Sequence, residues 1–444
     1  MTAPQPSRGQ QRALDWFNFL VANAQTGFGA FVAVYLTSQA WTQGQIGLML
    51  SVGTVASIVS QVPAGAVVDA IASKRLAAFV ACATISVCAL LIGLWPVELS
   101  VFVAKILHGF ASSLLSPSIA AMSLVLVGHV ALGERLGRNA RYAAAGSAIA
   151  AAVMGFIGTY VSEAAVFYLT AALMAPALLV LRAMGGPVAQ QLPGAALLPA
   201  AGPPPPGVLR AGLGLLTDRR VQAFALAVVL FHLANAAQLP LMASEVTVQT
   251  GSYASMVIAA CIVLPQFIVV GLAPMVGRRA QLWGRRPVLA LCFLAVPLRA
   301  ALLAVADSPY ALIAIQALDG ISAAGFGVLV PLVAADLTRG TGRFNLCLGM
   351  FGLMSALGAT LSTALGGMVA DAAGTPAALL VLAGCGLLAV ATVAFVVPET
   401  REEPGAPVIR PAAPGSPAGS AAAPAATAAR NRSAPRPRSA SGCR

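Results

Sequence analysis

The chain has 444 residues, of which 59% are hydrophobic and only 9% are charged. Soluble domains carry about 25% charged residues, so this composition excludes a soluble globular protein and indicates a protein embedded in a lipid bilayer. The formal net charge of +12 does not indicate nucleic-acid binding, because nearly all basic residues lie near the chain termini or in every second loop between apolar stretches.

Twelve apolar stretches are each long enough to cross a bilayer. Backbone polar groups in lipid must be satisfied within their own segment, so each stretch is predicted to be a helix and the chain to be an all-α membrane protein. The predicted spans are 14–37, 45–67, 76–96, 99–128, 141–160, 164–184, 221–243, 252–276, 287–306, 309–334, 344–369 and 376–397.

The loops after even-numbered spans hold basic residues, whereas the loops after odd-numbered spans hold none. Both chain termini are therefore predicted to be cytoplasmic, in what we expect to be a bacterial inner (plasma) membrane. A Pro- and Gly-rich stretch between spans 6 and 7 predicts a linker, and a Pro-, Ala- and Ser-rich end predicts a disordered tail. The predicted parts are a cytoplasmic amino-terminal segment (1–13), a six-helix bundle (14–184), the cytoplasmic linker (185–220), a second six-helix bundle (221–398) and the cytoplasmic tail (399–444).

The fourth span carries two ionisable residues among apolar ones, Lys105 and His108. They are three residues apart and so share one face of a helix. A charge near the middle of a spanning helix costs roughly 2.5–3.5 kcal/mol on insertion scales, so it indicates a partner or a water-filled cavity. At 1.5 Å of rise per residue, His108 lies about 14 Å from the start of the span at Leu99, close to the midplane of the bilayer.

The two halves of the chain repeat short motifs in the same order. Phe19-Leu-Val-Ala-Asn23 matches Phe231-His-Leu-Ala-Asn235, and Leu107-His108-Gly109 matches Leu318-Asp319-Gly320. Such a repeat in a membrane protein indicates two related bundles with a binding site at their interface. Asp319 is predicted to lie at about the same depth as His108, again about 14 Å.

The loop after span 2 resembles the signature loop of the major facilitator superfamily, and a second copy follows span 8. The residues that match are Gly65, Asp69, Lys74 and Arg75 in the first copy and Gly277, Gly284, Arg285 and Arg286 in the second, where Gln281 replaces the Asp. In span 4, Lys105-x-x-His108-Gly109 departs at both polar positions from the family's Arg-x-x-Gln-Gly. The sequence Pro398-Glu399-Thr400 after the last span also resembles the family.

This resemblance implies twelve transmembrane helices arranged as two pseudo-symmetric six-helix bundles, with helices 1, 4, 7 and 10 around a central cavity. It places His108 and Asp319 opposite each other across that cavity. We therefore predict that Asp319 and His108, assisted by Lys105, form a proton-coupling or substrate-binding site. A static ion pair that fixes helix packing is the alternative.

A second polar set lies in spans 1 and 7, and it either lines the cavity or forms hydrogen bonds between helices. Its members are Asn23, Gln25, His232, Asn235 and Gln238. Span 9 lies outside the cavity in the family, so its Arg299 is expected to extend to the membrane surface or to form a structural pair.

The resemblance gives the loop 65–75 a mechanical role on the cytoplasmic side. Asp69 is expected to face a helix amino terminus and to pair with Arg138 or Arg141, an arrangement that locks the outward-open state in the family. In the alternative, the basic residues of these loops determine topology alone.

The sequence contains no nucleotide-binding loop, metal-ligand cluster or nucleophile constellation, so we expect no enzyme activity, no cofactor and no metal. We expect a monomeric secondary active transporter that moves a small-molecule substrate by alternating access, coupled to protons, with efflux slightly favoured over uptake. The alternatives are a non-transporting membrane sensor or interaction protein with the same fold, and a passive facilitator.

Overall fold

The computed structural model describes residues 8–28, 30–41, 43–184, 214–242, 254–306 and 308–401, and this part of the chain is helical without a strand. The first half contains α1 (Arg8–Thr26), α2 (Ala30–Ser38), α3 (Gln43–Ala70), α4 (Lys74–Leu94), α5 (Glu98–Val127), α6 (Leu132–Tyr160) and α7 (Glu163–Ala183). The second half contains α8 (Arg219–Asn235), α9 (Ala254–Trp283), α10 (Arg285–Leu303), α11 (Pro309–Ile315), α12 (Ala317–Leu337), α13 (Phe344–Ala373) and α14 (Thr375–Phe395).

Eleven helical segments among the described residues are long and apolar enough to cross a membrane, and they coincide with predicted spans 2 to 12. The first predicted span, 14–37, is not one continuous helix. It divides into α1, which begins at Arg8 and carries polar residues, and the shorter α2. The interruption follows Gly27, whose missing side chain makes room for Thr170 of α7. Glycine favours such a break because it stabilises a helix interior less than alanine by about 1 kcal/mol.

The boundaries of the predicted linker and tail are tested only in part. α8 begins at Arg219, so the last two residues of the predicted linker 185–220 belong to this helix. Residues 185–213 and 402–444 lie outside the described residues, and the linker and tail stay predictions.

The helices form two six-span bundles, and most of their buried apolar residues lie in two large clusters. In the first bundle, Phe17, Ile85 and Phe167 are fully buried in one cluster. In the second, Phe293 and Phe351 are buried in another. The second cluster also includes Leu132, Leu136 and Ala144 of α6, so apolar packing continues across the contact between the two halves.

The two bundles contact each other at the end of the molecule that carries the basic loops. There α3 packs against α13, and α6 packs against α9. A side chain at Gly65 of α3 would overlap the backbone of Asn345, and one at Gly277 of α9 would overlap the backbone of Gly133. Small residues at these positions therefore bring the two halves into backbone contact, as they do between other membrane helices.

Candidate functional site

Three of the spans are interrupted partway along their length. The first span breaks between α1 and α2, and the tenth breaks between α11 and α12 at Gln316. The seventh span has a turn at residues 236–237 and continues as a helix to Met242. The breaks in spans 1 and 7 lie at corresponding places in the two repeats. Interrupted backbone at membrane depth is tolerated only where it is buried in protein or lines a cavity, so these breaks locate a candidate site.

The first half contributes four polar side chains and one aromatic ring, which we call the amino-half cluster: Gln25, Phe28, Lys105, His108 and Ser112. His108 Nε2 lies 2.8 Å from Gln25 Oε1 and 3.2 Å from Ser112 Oγ. The Phe28 ring, next to the α1–α2 break, stacks on the imidazole with ring centroids 3.8 Å apart. The imidazole is therefore held by α1 and by its own helix.

The second half contributes the carboxyl-half cluster: His232, Asn235, Gln238, Arg299 and Asp319. The Arg299 guanidinium forms an ion pair with the Asp319 carboxylate. Arg299 also donates from Nε to Gln238 Oε1, at 2.7 Å, and from Nη2 to the Asn235 carbonyl oxygen, at 3.3 Å. The Arg299 side chain is 3% exposed but the Asp319 side chain is 30% exposed, so the carboxylate is the accessible member of the pair.

His108 and Asp319 each have a partner within their own half, so the alternative of a static ion pair between them is not what the structure shows. Their assignment to one proton-coupling or substrate-binding site stays a prediction. Arg299 does not extend to the membrane surface, because the residue is buried, and it forms an ion pair inside the second bundle, as the other expectation held. A buried guanidinium requires a nearby carboxylate to offset its desolvation, and Asp319 on the adjacent α12 supplies it.

The remaining predicted polar residues are distributed around these clusters. Lys105 is 6% exposed and lies against Gly53 of α3, and Asn23 is buried on α1. His232 Nδ1 lies 3.1 Å from the Val228 carbonyl oxygen of its own helix. The expected single face of His232, Asn235 and Gln238 is interrupted, because α8 ends at Asn235. In the part of the chain that the structure describes, no group of His, Cys, Asp or Glu residues is arranged to hold a metal ion.

Asp69, at the end of α3, caps the amino terminus of α13 in the other half. Its carboxylate accepts hydrogen bonds from the Asn345 amide, at 3.1 Å, and the Leu346 amide, at 2.8 Å, as well as from the Asn345 side chain, at 2.7 Å. An anion at this place satisfies free amides and interacts favourably with the helix dipole. Lys74 Nζ donates to the carbonyl oxygens of Val68, Asp69 and Ile71, at 2.5 to 3.1 Å, and so caps the end of α3.

The expected partners of Asp69 are placed differently. Arg138 forms an ion pair with Asp15 of α1, which also binds Arg135 at 2.6 Å. Arg141 donates from Nε to the Val270 carbonyl oxygen of α9, at 2.8 Å. The family resemblance implied an arginine partner for Asp69, but Asp15 is the carboxylate that pairs with the arginines of α6.

The second copy of the loop, after α9, uses a carboxylate from its own half as a helix cap. The amides of Arg285 and Arg286 donate to the Glu399 carboxylate at 2.8 and 3.1 Å, so Glu399 caps α10 within the same half. Arg285 Nε also donates to Asp336, at 3.0 Å. Gln281 instead donates to the Val130 carbonyl oxygen of the first half. The two copies therefore form unequal contacts between the halves.

Sequence reasoning does not identify five residues that take part in the polar clusters, the ion pairs or the helix breaks. Each lies inside or beside an apolar helix. The five residues are Asp15, Phe28, Ser112, Gln316 and Asp336. For Asp15 and Asp336 the sequence holds a signal, because Asp15 lies in predicted span 1 and Asp336 lies two residues after predicted span 10, and a carboxylate in or beside an apolar span indicates a basic partner. For Phe28 and Gln316 no such signal exists, since their roles arise from helix breaks.

The comparisons with known proteins agree with this architecture. The family model of the Major Facilitator Superfamily matches residues 16–221 and 224–435. An uncharacterised MFS-type transporter of Mycobacterium tuberculosis is 35% identical over 382 residues, which cover 85% of this chain and 91% of that protein.

Solved structures are similar in fold. The E. coli fucose:proton symporter superposes with a TM-score of 0.70 at 17% identity, covering 87% of this chain and 98% of that one. A proton:xylose symporter superposes with a TM-score of 0.68 at 15% identity, covering 88% and 96%. The chain therefore belongs to the major facilitator superfamily, a family of membrane transporters and not of enzymes.

Proposed function

We propose that this protein is a secondary active transporter that moves a small solute by alternating access and couples that movement to protons. The observation that carries the proposal is the Arg299–Asp319 ion pair beside interrupted helices. Discontinuous spans in the two repeats are the places where transporters of this type bind substrates and coupling ions.

Asp319 is the residue that we assign to proton coupling. Its side chain is partly exposed, whereas Arg299 is buried and bonded to Gln238 and Asn235. Protonation of Asp319 removes its charge and weakens the ion pair, while the other contacts of Arg299 persist. Because Arg299, Asp319 and Gln238 lie on or beside three different spans, a change in this pair alters the packing of the second bundle.

The contacts between the halves supply the second element of alternating access. The halves are joined at the end with the basic loops, by the Asp69 cap and the close contacts of Gly65 and Gly277. If that end is cytoplasmic, as the positive-inside rule predicts, this conformation is closed toward the cytoplasm. Opening it requires the Asp69 cap to separate from α13. The E. coli fucose:proton symporter and the proton:xylose symporter are similar in fold, which agrees with proton coupling but does not carry the proposal.

The experiment is a flux assay in proteoliposomes that contain a trapped pH-sensitive dye. Purified protein is challenged with a library of small solutes, and a coupled solute changes the internal pH. We expect Asp319→Asn to abolish the solute-dependent pH change while solute exchange under equal concentrations continues. Exchange is the control that the variant is folded, and the sign of the pH change with the solute gradient gives the direction of transport.

Two outcomes contradict the proposal. Solute flux without any pH change in the native protein indicates a passive facilitator. Binding without flux for every solute that stabilises the protein indicates a sensor with the same fold.

A further inference from the structure

Lys105 differs from the other buried basic residues. Four basic side chains are buried among the described residues: Lys105, Arg135, Arg285 and Arg299. Each of the three arginines forms an ion pair with an aspartate, namely Asp15, Asp336 and Asp319. Lys105 is 6% exposed and has neither a hydrogen bond nor an ion pair with a described residue.

The position of Lys105 explains why no described side chain supplies a counter-charge. Its side chain lies along α3 at Gly53, where even a methyl group would overlap Lys105 Cε. The acidic residue of α3 is Asp69, more than four helical turns away, and Glu98 of α5 accepts a hydrogen bond from Gln45. The glycine thus makes room for the lysine without supplying a counter-charge.

The charges of the two clusters do not balance. In the carboxyl-half cluster, Arg299 and Asp319 neutralise each other. In the amino-half cluster, Lys105 stands beside His108, Gln25 and Ser112, which bond to one another and offer no carboxylate. A buried charge without a partner is costly, and a ligand of opposite charge removes that cost when it binds.

We infer that the transported solute is a monoanionic organic molecule whose carboxylate binds Lys105. This inference rests on the proposed function and names the class of solute for the same site. One negative charge offsets the net positive charge of the two clusters. Ser112 and Gln25, one to two turns from Lys105 on the His108 side, supply hydrogen-bonding groups for a polar substituent.

Thermal unfolding of the purified full-length protein tests the inference by comparing matched probes. A panel of monocarboxylates, including sodium benzoate and sodium lactate, is compared with the corresponding amides plus equimolar sodium chloride. We expect at least one carboxylate to raise the Tm above the value with its amide and chloride, because a ligand that binds only the folded protein stabilises it. The chloride arm separates recognition of an organic carboxylate from binding of any small anion.

Three variants identify the residue responsible. Lys105→Met should abolish the carboxylate-dependent rise in Tm, and Lys105→Arg should retain it, because arginine keeps the positive charge. Arg220→Met, which removes an exposed basic side chain paired with the adjacent Asp218, should behave as the native protein. Without ligand, Lys105→Met should unfold at the native Tm or above it, since an unpaired buried charge is removed.

The inference is overturned if no carboxylate in the panel shifts the Tm more than its amide, or if Lys105→Met responds as the native protein does. It is also overturned if Lys105→Met unfolds at a clearly lower Tm without ligand, since that result identifies a structural lysine. These readouts do not require flux. A Lys105-dependent carboxylate shift without transport refutes the proposed function alone, and undiminished transport of a carboxylate by Lys105→Met refutes this inference alone.

Discussion

The Asp69 carboxylate, at the end of α3, accepts a 2.8 Å hydrogen bond from the Leu346 amide in the first turn of α13. The two residues belong to different halves of the molecule, so this cap joins the bundles. Its effect on conformation depends on charge, because an ionised carboxylate interacts with both the free amides and the helix dipole.

The first prediction concerns this cap. Asp69→Asn should weaken the contact by about 1 kcal/mol and shift the population of the open form roughly fivefold. Cys347, fully buried one residue after Leu346, provides a native reporter, and we expect its thiol to react faster when loss of the cap loosens the amino end of α13. Alkylation of Cys347 by N-ethylmaleimide, followed peptide by peptide with mass spectrometry, should accelerate by a similar factor.

Cys292 is the matched control for that measurement. It is buried against Gly325 within the second bundle and should react at an unchanged rate. Equal acceleration at both cysteines indicates partial unfolding, and no acceleration at Cys347 indicates that the cap does not restrain opening.

The second prediction concerns the Arg299–Asp319 pair. Arg299→Gln leaves the Asp319 carboxylate unpaired, and Asp319→Asn leaves a buried guanidinium without its counter-charge. Breaking a buried ion pair from either side typically costs about 3–5 kcal/mol. Because the double variant leaves neither charge behind, its loss should be well below the sum of the two single losses.

Thermal unfolding of the four proteins in detergent completes this double-variant cycle. Two residues that interact should show a coupling free energy of at least 1 kcal/mol, within the usual range for contacting pairs. Additive losses in the cycle mean that the two side chains do not interact in the membrane protein as isolated.

The third prediction concerns the cap of α10. Gly284 has φ of +106°, and a side chain there would lie 2.5 Å from Glu399 Oε2. Gly284→Ala should therefore destabilise the protein by about 1–2 kcal/mol, through backbone strain and displacement of Glu399. Glu399→Ala should cost about 1 kcal/mol, because the Arg285 and Arg286 amides lose their acceptor.

Because both changes affect one cap, their effects should not add in the double variant Gly284→Ala/Glu399→Ala. Unfolding in chemical denaturant measures each loss. Gly327→Ala, at a helical glycine with open space around it, is the matched control and should be neutral or stabilising by up to about 1 kcal/mol. A fully additive double variant shows that Gly284 and Glu399 act separately.

Much of the architecture was predictable from composition, whereas the pairing of charges was not. Eleven spans and the two-bundle arrangement follow from apolar length and internal repetition, which are properties of the chain itself. The partner of Arg299 depends on how α10 is rotated against α12, and residue spacing along one helix carries no such information. The turn at Gln316 is not predictable from apolar length either, because the Gln316 amide still donates to the Leu312 and Ile313 carbonyl oxygens and the chain is apolar on both sides.

The fourth prediction is that the two polar clusters have different roles. His108 lies in the amino-half cluster, bonded to Gln25 at 2.8 Å, and does not contact the Arg299–Asp319 pair. His108→Leu should therefore weaken solute binding about tenfold, because Gln25 loses a buried hydrogen-bond partner and α1 is less well ordered beside the break. Proton coupling should persist, since Asp319 and its partner are unchanged.

Solute concentration dependence and the proton-to-solute ratio, both measured in the proteoliposome assay, distinguish these effects. A raised apparent KM with an unchanged ratio is the expected result. His108→Gln, which keeps a hydrogen-bonding side chain, should restore part of the lost affinity. If the proton-to-solute ratio falls to zero in His108→Leu, the imidazole and not Asp319 couples proton movement to transport. A residue that only hydrogen-bonds the substrate or its binding helix would not change that ratio.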